Sequence, residues 1–145
     1  MKRIRATAAC VIEHDGRYLM VEEARGGPAT LYNQPAGHIE PGEGPIAAIL
    51  REVAEETAWR VRLTHYLGLD VFHTADKTFH SHGFTATLDT WLDTPLDDDI
   101  HATHWLTFAE ITALGRAGRL RSPLVVRRIE AARAGQGYPL AVIRE

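Results

Sequence analysis

Two apolar runs of strand length open the chain, ATAACVIEH over residues 6–14 and GRYLMVEEA over residues 16–24. The Asp15-Gly16 pair between them is a hairpin turn signal, so the two runs predict an antiparallel pair of strands. A stretch rich in glycine and proline follows over residues 25–45, and loops of that length tend to carry function. The period then changes. From Pro45 to Thr57 apolar residues recur at helical spacing, with Gly44 placed as N-cap and Pro45 suited to the first helical position, where an N–H would have no partner. Residues 60–74 and 78–92 predict β-rich segments around the turn ADKT. A short strand at 101–108 leads to a helix from about Ala109 to Leu114, and a last helix carries Leu124, Val125, Ile129 and Ala132 at helical spacing. The regular strand–helix–strand rhythm of a parallel sheet is missing, and 145 residues suit one hydrophobic core. The expectation is a single α/β (α+β) domain with a mixed β-sheet flanked by helices.

The first helix divides into two arcs. At about 100° per residue, Ile46, Ile49, Leu50, Val53 and Thr57 fall on one stripe, and its apolar members are predicted to face the core. Glu52, Glu55 and Glu56 occupy the adjoining arc, Glu56 nearest the stripe, and Arg51 stands one turn before Glu55. A like-charged pair at that spacing costs only ~0.2–0.5 kcal/mol when exposed, and more where water is partly excluded. Alone, three glutamates read as a solvated acidic face. At the margin of a buried face they are also what a hard divalent cation seeks. Mg²⁺ takes one or two carboxylates together with waters and phosphate oxygens.

Composition narrows the partner. With 45% hydrophobic and 24% charged residues this is an ordinary globular chain, and its net charge of -3 lacks the basic excess of a nonspecific nucleic-acid binder. A phosphate-bearing small molecule stays compatible, because a bound cation reverses the local field. No run approaches the ~18 apolar residues of a membrane span, and the N-terminus turns polar too early for a secretory signal. The expected compartment is the cytoplasm. Cys10, inside the first apolar run, reads as a small buried residue. His80 and His82 share a strand face, but no cysteine or carboxylate stands at complementary zinc-ligand spacing, so they read as a polar strand face.

Spacing ahead of the helix lifts the signal. Gly37, five residues, Glu43, seven residues, then Arg51-Glu52-Val53-Ala54-Glu55-Glu56 resembles the Nudix box, G-x5-E-x7-R-E-U-x-E-E-x-G-U with U apolar. Six glycine or charged positions agree across twenty residues. Two positions depart: Ala58 stands where the family has glycine, and Trp59 takes the last apolar position. The resemblance implies the Nudix α/β/α sandwich, with the box as a loop–helix–loop, and hydrolysis of a phosphoanhydride. It implies Mg²⁺, or Mn²⁺, on Glu52, Glu55 and Glu56, joined by the Gly37 carbonyl. Arg51 would orient a glutamate, so that Arg51, Glu52 and Glu55 form the expected catalytic set, and Glu43 would brace the loop–helix junction. In relatives a carboxylate from the loop before the 101–108 strand often completes the metal site. That makes Asp97 and Asp99 candidates, Asp98 lying between them in PLDDDIH, against the plainer reading of a polar turn. The general base varies across the family; Glu52 and these aspartates stand open.

Shorter stretches extend the likeness. VEE (21–23), NQPAGH (33–38), DKT (76–78), LRSPLV (120–125) and YPL (138–140) together resemble the NudJ-type bacterial Nudix phosphatases, over nearly the whole chain. That group releases orthophosphate from the end of a phosphate chain. Its substrates are nucleoside tri- and diphosphates, thiamine diphosphate and hydroxymethylpyrimidine diphosphate. An alternative keeps the same site but splits an internal bond, as an ADP-ribose or nucleoside triphosphate pyrophosphatase does. A nonhydrolytic metabolite-binding module is the third reading, and the intact glutamates argue against it. Substrate contacts are expected from Tyr32 and His38 in the loop and from Lys77 in the ADKT turn. The expected partner is a small phosphorylated molecule, with no nucleic acid polymer and no membrane, bound by a monomer or homodimer.

Overall fold

Strand β1 (Arg3–His14) has partners along both edges. In the computed structural model, which describes residues 2–24 and 27–145, one edge runs parallel to β6 (Lys77–Trp91) from Arg3 opposite Lys77 to Ile12 opposite Ala86. The other edge is divided. Thr7, Ala8 and Ala9 pair with β4 (Ala36–His38), while Glu13 and His14 pair with β2 (Arg17–Glu23) across Asp15-Gly16. Both turn residues have positive φ, 51° and 76°, the combination whose twist suits a two-residue hairpin. β5 (Trp59–His73) extends the sheet antiparallel beyond β6, and β3 (Leu31–Asn33) and β7 (Ile100–Thr107) flank β2. The sheet is mixed, as expected. β3 and β4 are not anticipated: each has three residues, too few to show alternation, and both lie inside the stretch read as loop. Arg25 and Gly26, at the start of that stretch, lie outside the described residues.

Alternation along β1 sends Ala8, Cys10 and Ile12 to one face, where α1 (Pro45–Thr57) lays Ile49 and Val53 against them and Phe84. On the other face Val11, Tyr18 and Met20 pack with Ile111 of α2 (Phe108–Arg116) and with Val125 and Ile129 of α3 (Leu124–Arg133). Helices thus cover both faces of the sheet in an α/β/α sandwich. Each fully buried isoleucine or valine contributes roughly 1.5–3 kcal/mol. Cys10 is fully buried, which pushes its thiol well above the ordinary range and keeps it protonated. Among the described residues no helix is long and apolar enough to cross a membrane.

Both ends of α1 depend on residues outside it. Gly44 is extended at the N-cap and has no side chain to cap with, so the Glu145 carboxylate accepts from the Ile46 and Ala47 N–H groups at 2.8 and 3.3 Å. At the other end Ala58 turns left-handed, φ 62° and ψ 21°. Leu50 corrects the sequence expectation: it is exposed, not part of the core. The buried face is centred on Ile49, Val53 and Glu56, because the Ala36 N–H donates to Glu56 Oε1 at 2.9 Å and keeps that carboxylate inside. Leu50 is left at the rim. α2 begins at Phe108 and runs to Arg116, a longer helix than the one expected at 109–114. A capping box explains its start: Glu110 N–H donates to Thr107 Oγ1, and Thr107 N–H to Glu110 Oε1.

Candidate active site

β4 and α1 converge at Gly37. A Cβ built on that residue would fall on the Glu52 carboxylate, so glycine is what lets the helix glutamate rest against the strand. Beside it Glu52, Glu55 and Asp97 each offer a carboxylate oxygen, all within 4.8 Å of one another and half-buried. Burial raises Glu52 above the usual carboxylate range; Arg51 opposes the rise, and Glu55 and Asp97 add to it. Asp97 is raised for the same leading reason, with Asp99 next. Three hard oxygen donors, partly shielded from water and repelling one another, fit a divalent cation.

Arg51 organises these carboxylates. Its Nε and Nη2 donate to the two oxygens of Glu43 at 2.9 and 2.7 Å, and Nη2 also to the His38 carbonyl at 3.1 Å. Nη1 donates to Glu52 at 2.8 Å and to Glu55 at 3.1 Å. One planar fork thereby ties two members of the cluster to the junction between loop and helix. The same hydrogen bonds hold Glu43 down at about 2, helped by the Glu40 N–H, and raise Arg51 above its ordinary value.

A model of the NUDIX domain matches residues 2–127. The chain belongs to the Nudix family. It is 40% identical over 139 residues to "Phosphatase NudJ" of Escherichia coli (strain K12), across 94% of this chain and 88% of that one. "Phosphatase NudJ" of Shigella sonnei (strain Ss046) gives the same figures. Among solved structures, "NUDIX hydrolase from Nitrosomonas europaea" superposes with a TM-score of 0.92 at 38% identity, covering 97% of this chain and 96% of that one. The MutT protein from Methanosarcina mazei Go1 has a TM-score of 0.74 at 19% identity, over 93% of this chain and 97% of its own, and so shares the fold. The protein is a Nudix hydrolase, NudJ-like, acting on small phosphorylated substrates.

Within this Nudix hydrolase the other expected site residues disperse. Glu56 is not in the group of three; it lies buried beneath the Ala36 N–H. Asp99 is likewise outside that group, and its backbone carbonyl accepts from Ala24 N–H at 2.9 Å. Tyr32 lies under the Arg119 guanidinium and beside His104, and lines a separate groove with Leu106 and Glu110. His38 and Lys77 do come together, on a cleft of about 410 Å³ that adjoins Gly37.

That Nudix cleft also holds residues the sequence reading passed over: Asn33, Ser81, Arg121 and Arg128. Arg128 had a signal. It stands four residues after Leu124 and next to Ile129, inside the apolar stripe of α3, where a charge is out of place. Its guanidinium donates through Nη1 to Gln34 Oε1 at 3.2 Å and through Nη2 to Ser81 Oγ. Burial pushes it down to about 10, which leaves it charged at neutral pH.

Proposed function

We propose that this Nudix hydrolase binds Mg²⁺ through Glu52, Glu55 and Asp97 and releases orthophosphate from the end of a phosphate chain. Its substrates in this reading are nucleoside di- and triphosphates and thiamine-type diphosphates. One observation carries it: three carboxylates converge beside Gly37 in a chain 40% identical to a phosphatase. Mn²⁺ would satisfy the same oxygen donors. Gly37 adds its carbonyl to the ligand set, as the family pattern implies.

When bound, the ion neutralises charge on the phosphates and acidifies the attacking water. The remaining work belongs to the chain. Arg51 fixes Glu52 and Glu55 in one arrangement, and preorganisation of that kind lowers the barrier without reorganisation during reaction. Glu52, held by Arg51 within the carboxylate cluster beside Gly37, is placed to take the proton of the water. Glu56 anchors the strand that carries Gly37, through the Ala36 N–H. His38 and Lys77 face the phosphate chain or the group it is attached to.

A product-resolved assay tests this reading. Nucleoside triphosphates, nucleoside diphosphates, thiamine diphosphate and ADP-ribose are incubated with and without Mg²⁺, and orthophosphate and pyrophosphate are measured separately. Orthophosphate is expected, and only with the metal. Pyrophosphate or a nucleoside monophosphate from ADP-ribose as the main product would overturn it in favour of internal cleavage.

A further inference from the structure

Arg128 is a buried cation with no carboxylate among its hydrogen-bond partners in the described residues. The residue is 5% exposed, and both groups it donates to, Gln34 and Ser81, are neutral. Its Nε–H has no partner among the described residues. Asp70, whose field does reach it, is already engaged by Arg127 at 3.2 Å. A charge withdrawn from water without an opposite charge beside it is costly, and a ligand of opposite charge relieves that cost.

The place where one would arrive is at hand. Arg128 lines the cleft that has Gly37 and His38 in its wall, and Gly37 is the residue on which the Glu52 carboxylate rests. The cation therefore shares a cleft with the strand residue against which the Glu52 carboxylate rests. Lys77 and Arg121 line the same cleft, and Glu23 and Asp76 are the carboxylates there. Asn33 Oδ1 is also buried without a partner, and a half-turn of the amide presents its NH₂ in that place.

We propose that Arg128 is the anion-binding residue of this cleft, holding a phosphate group of the substrate, or the orthophosphate product, while the cluster across Gly37 engages the bond to be cut. The role in turnover rests on the hydrolase reading above; the anion site itself stands on the buried guanidinium. Arg128 then selects substrates by the phosphate they extend past the cleaved bond, a contact that binds rather than reacts.

Inorganic phosphate is the probe. The metal-free wild-type protein is titrated while the ¹⁵N–¹H resonance of the Arg128 Nε–H is followed. A saturable shift is expected and is retained in Glu52→Gln, while phosphate affinity measured by calorimetry is lost in Arg128→Met and weakened but kept in Arg128→Lys, which retains the charge. A resonance that does not move overturns the proposal, as does an Arg128→Met protein that binds phosphate as tightly as the parent. If Arg128→Met fails to fold, the wild-type titration still decides. In steady state, Arg128→Met raises KM about tenfold or more with kcat nearly unchanged, the loss of one charge-assisted hydrogen bond. A fall in kcat at constant KM contradicts it. The titration requires neither metal nor turnover, so phosphate binding in a protein that releases no orthophosphate supports the anion site and sinks only the orthophosphate-release reading.

Discussion

The backbone N–H of Asp97 donates to the carbonyl of Glu55 at 3.0 Å. This bond fastens the loop before β7 to the last turn of α1 and brings the Asp97 carboxylate level with those of Glu52 and Glu55. The two halves of the cluster are far apart in sequence and come from unlike elements, a helix and a loop. Their meeting is a property of the fold.

Asp97 and Asp99 are therefore expected to behave differently. Asp97→Asn keeps the backbone bond but removes a charged donor. Its half-saturating Mg²⁺ concentration should rise about 10–100-fold, the range lost even when an outer partner of a metal ligand is removed. Turnover should fall by about 10² or more. Asp99→Asn should change either quantity less than about threefold, since Asp99 stands outside the group of three. Metal titrations of the initial rate for both variants check this, and equal effects would refute the assignment.

Gly37→Ala separates stability from activity. The added Cβ collides with the end of the Glu52 side chain, which is flexible and swings away at little expense. The midpoint of urea unfolding should thus move by less than about 1 kcal/mol, in line with changes that leave the packed core alone. The displaced carboxylate, however, no longer belongs to the cluster, and a misplacement of about 1 Å costs on the order of 10² in rate. A variant that unfolds much more easily, or one that turns over normally, would show that Glu52 has another task.

Some of this was legible in the chain and some was not, for physical reasons. The order Gly37, Glu43, Arg51, Glu52, Glu55 is readable because a turn, a brace and a helix face each impose a fixed spacing. The hairpin at Asp15-Gly16 and the Pro45 helix start are local, so short-range chemistry exposes them. Strands β3 and β4 depend on pairing with β2 and β1, which no three-residue pattern announces. The inward turn of Glu56 goes with a backbone N–H from β4, a long-range contact, and Leu50 is left exposed. Tyr32 is expected at the substrate because it stands in the stretch read as a loop before the box, yet neighbouring strand residues face opposite ways and β3 directs it to another groove. Arg128 was legible in hindsight of its period alone.

The Glu43–Arg51 pair predicts a pH dependence of definite sign. Glu43 is held at about 2 against an ordinary 4.5, so the folded state binds its proton later than the unfolded chain does. A depressed carboxylate stabilises the fold above its unfolded value and loses that contribution as pH falls through the folded one. In metal-free buffer, the advantage of the wild type over Glu43→Gln in urea midpoint should be constant above about pH 4.5. It should shrink below that and disappear near pH 2. A difference that stays level from pH 5 to pH 2 would mean the pair contributes nothing through its charge.

Ala58 gives the last prediction. It is left-handed and fully buried, its N–H donating to the Ala54 carbonyl at 3.0 Å and its own carbonyl accepting from Leu92 at 2.8 Å. A Cβ in that backbone conformation costs about 1–2 kcal/mol, which explains the glycine in the family pattern. Two effects work the other way. Glycine frees the unfolded chain by about 0.4–1 kcal/mol, and it deletes a buried methyl that contributes about 0.8 kcal/mol. Ala58→Gly should therefore leave stability within about 1 kcal/mol of the parent, as measured by urea unfolding. Ala58→Val keeps the strain, adds a branched side chain where positive φ is least tolerated, and overfills a buried site; it should destabilise by about 2 kcal/mol or more. A large gain from the glycine, or an unperturbed valine variant, would show that the turn relaxes in solution to a shape alanine adopts freely.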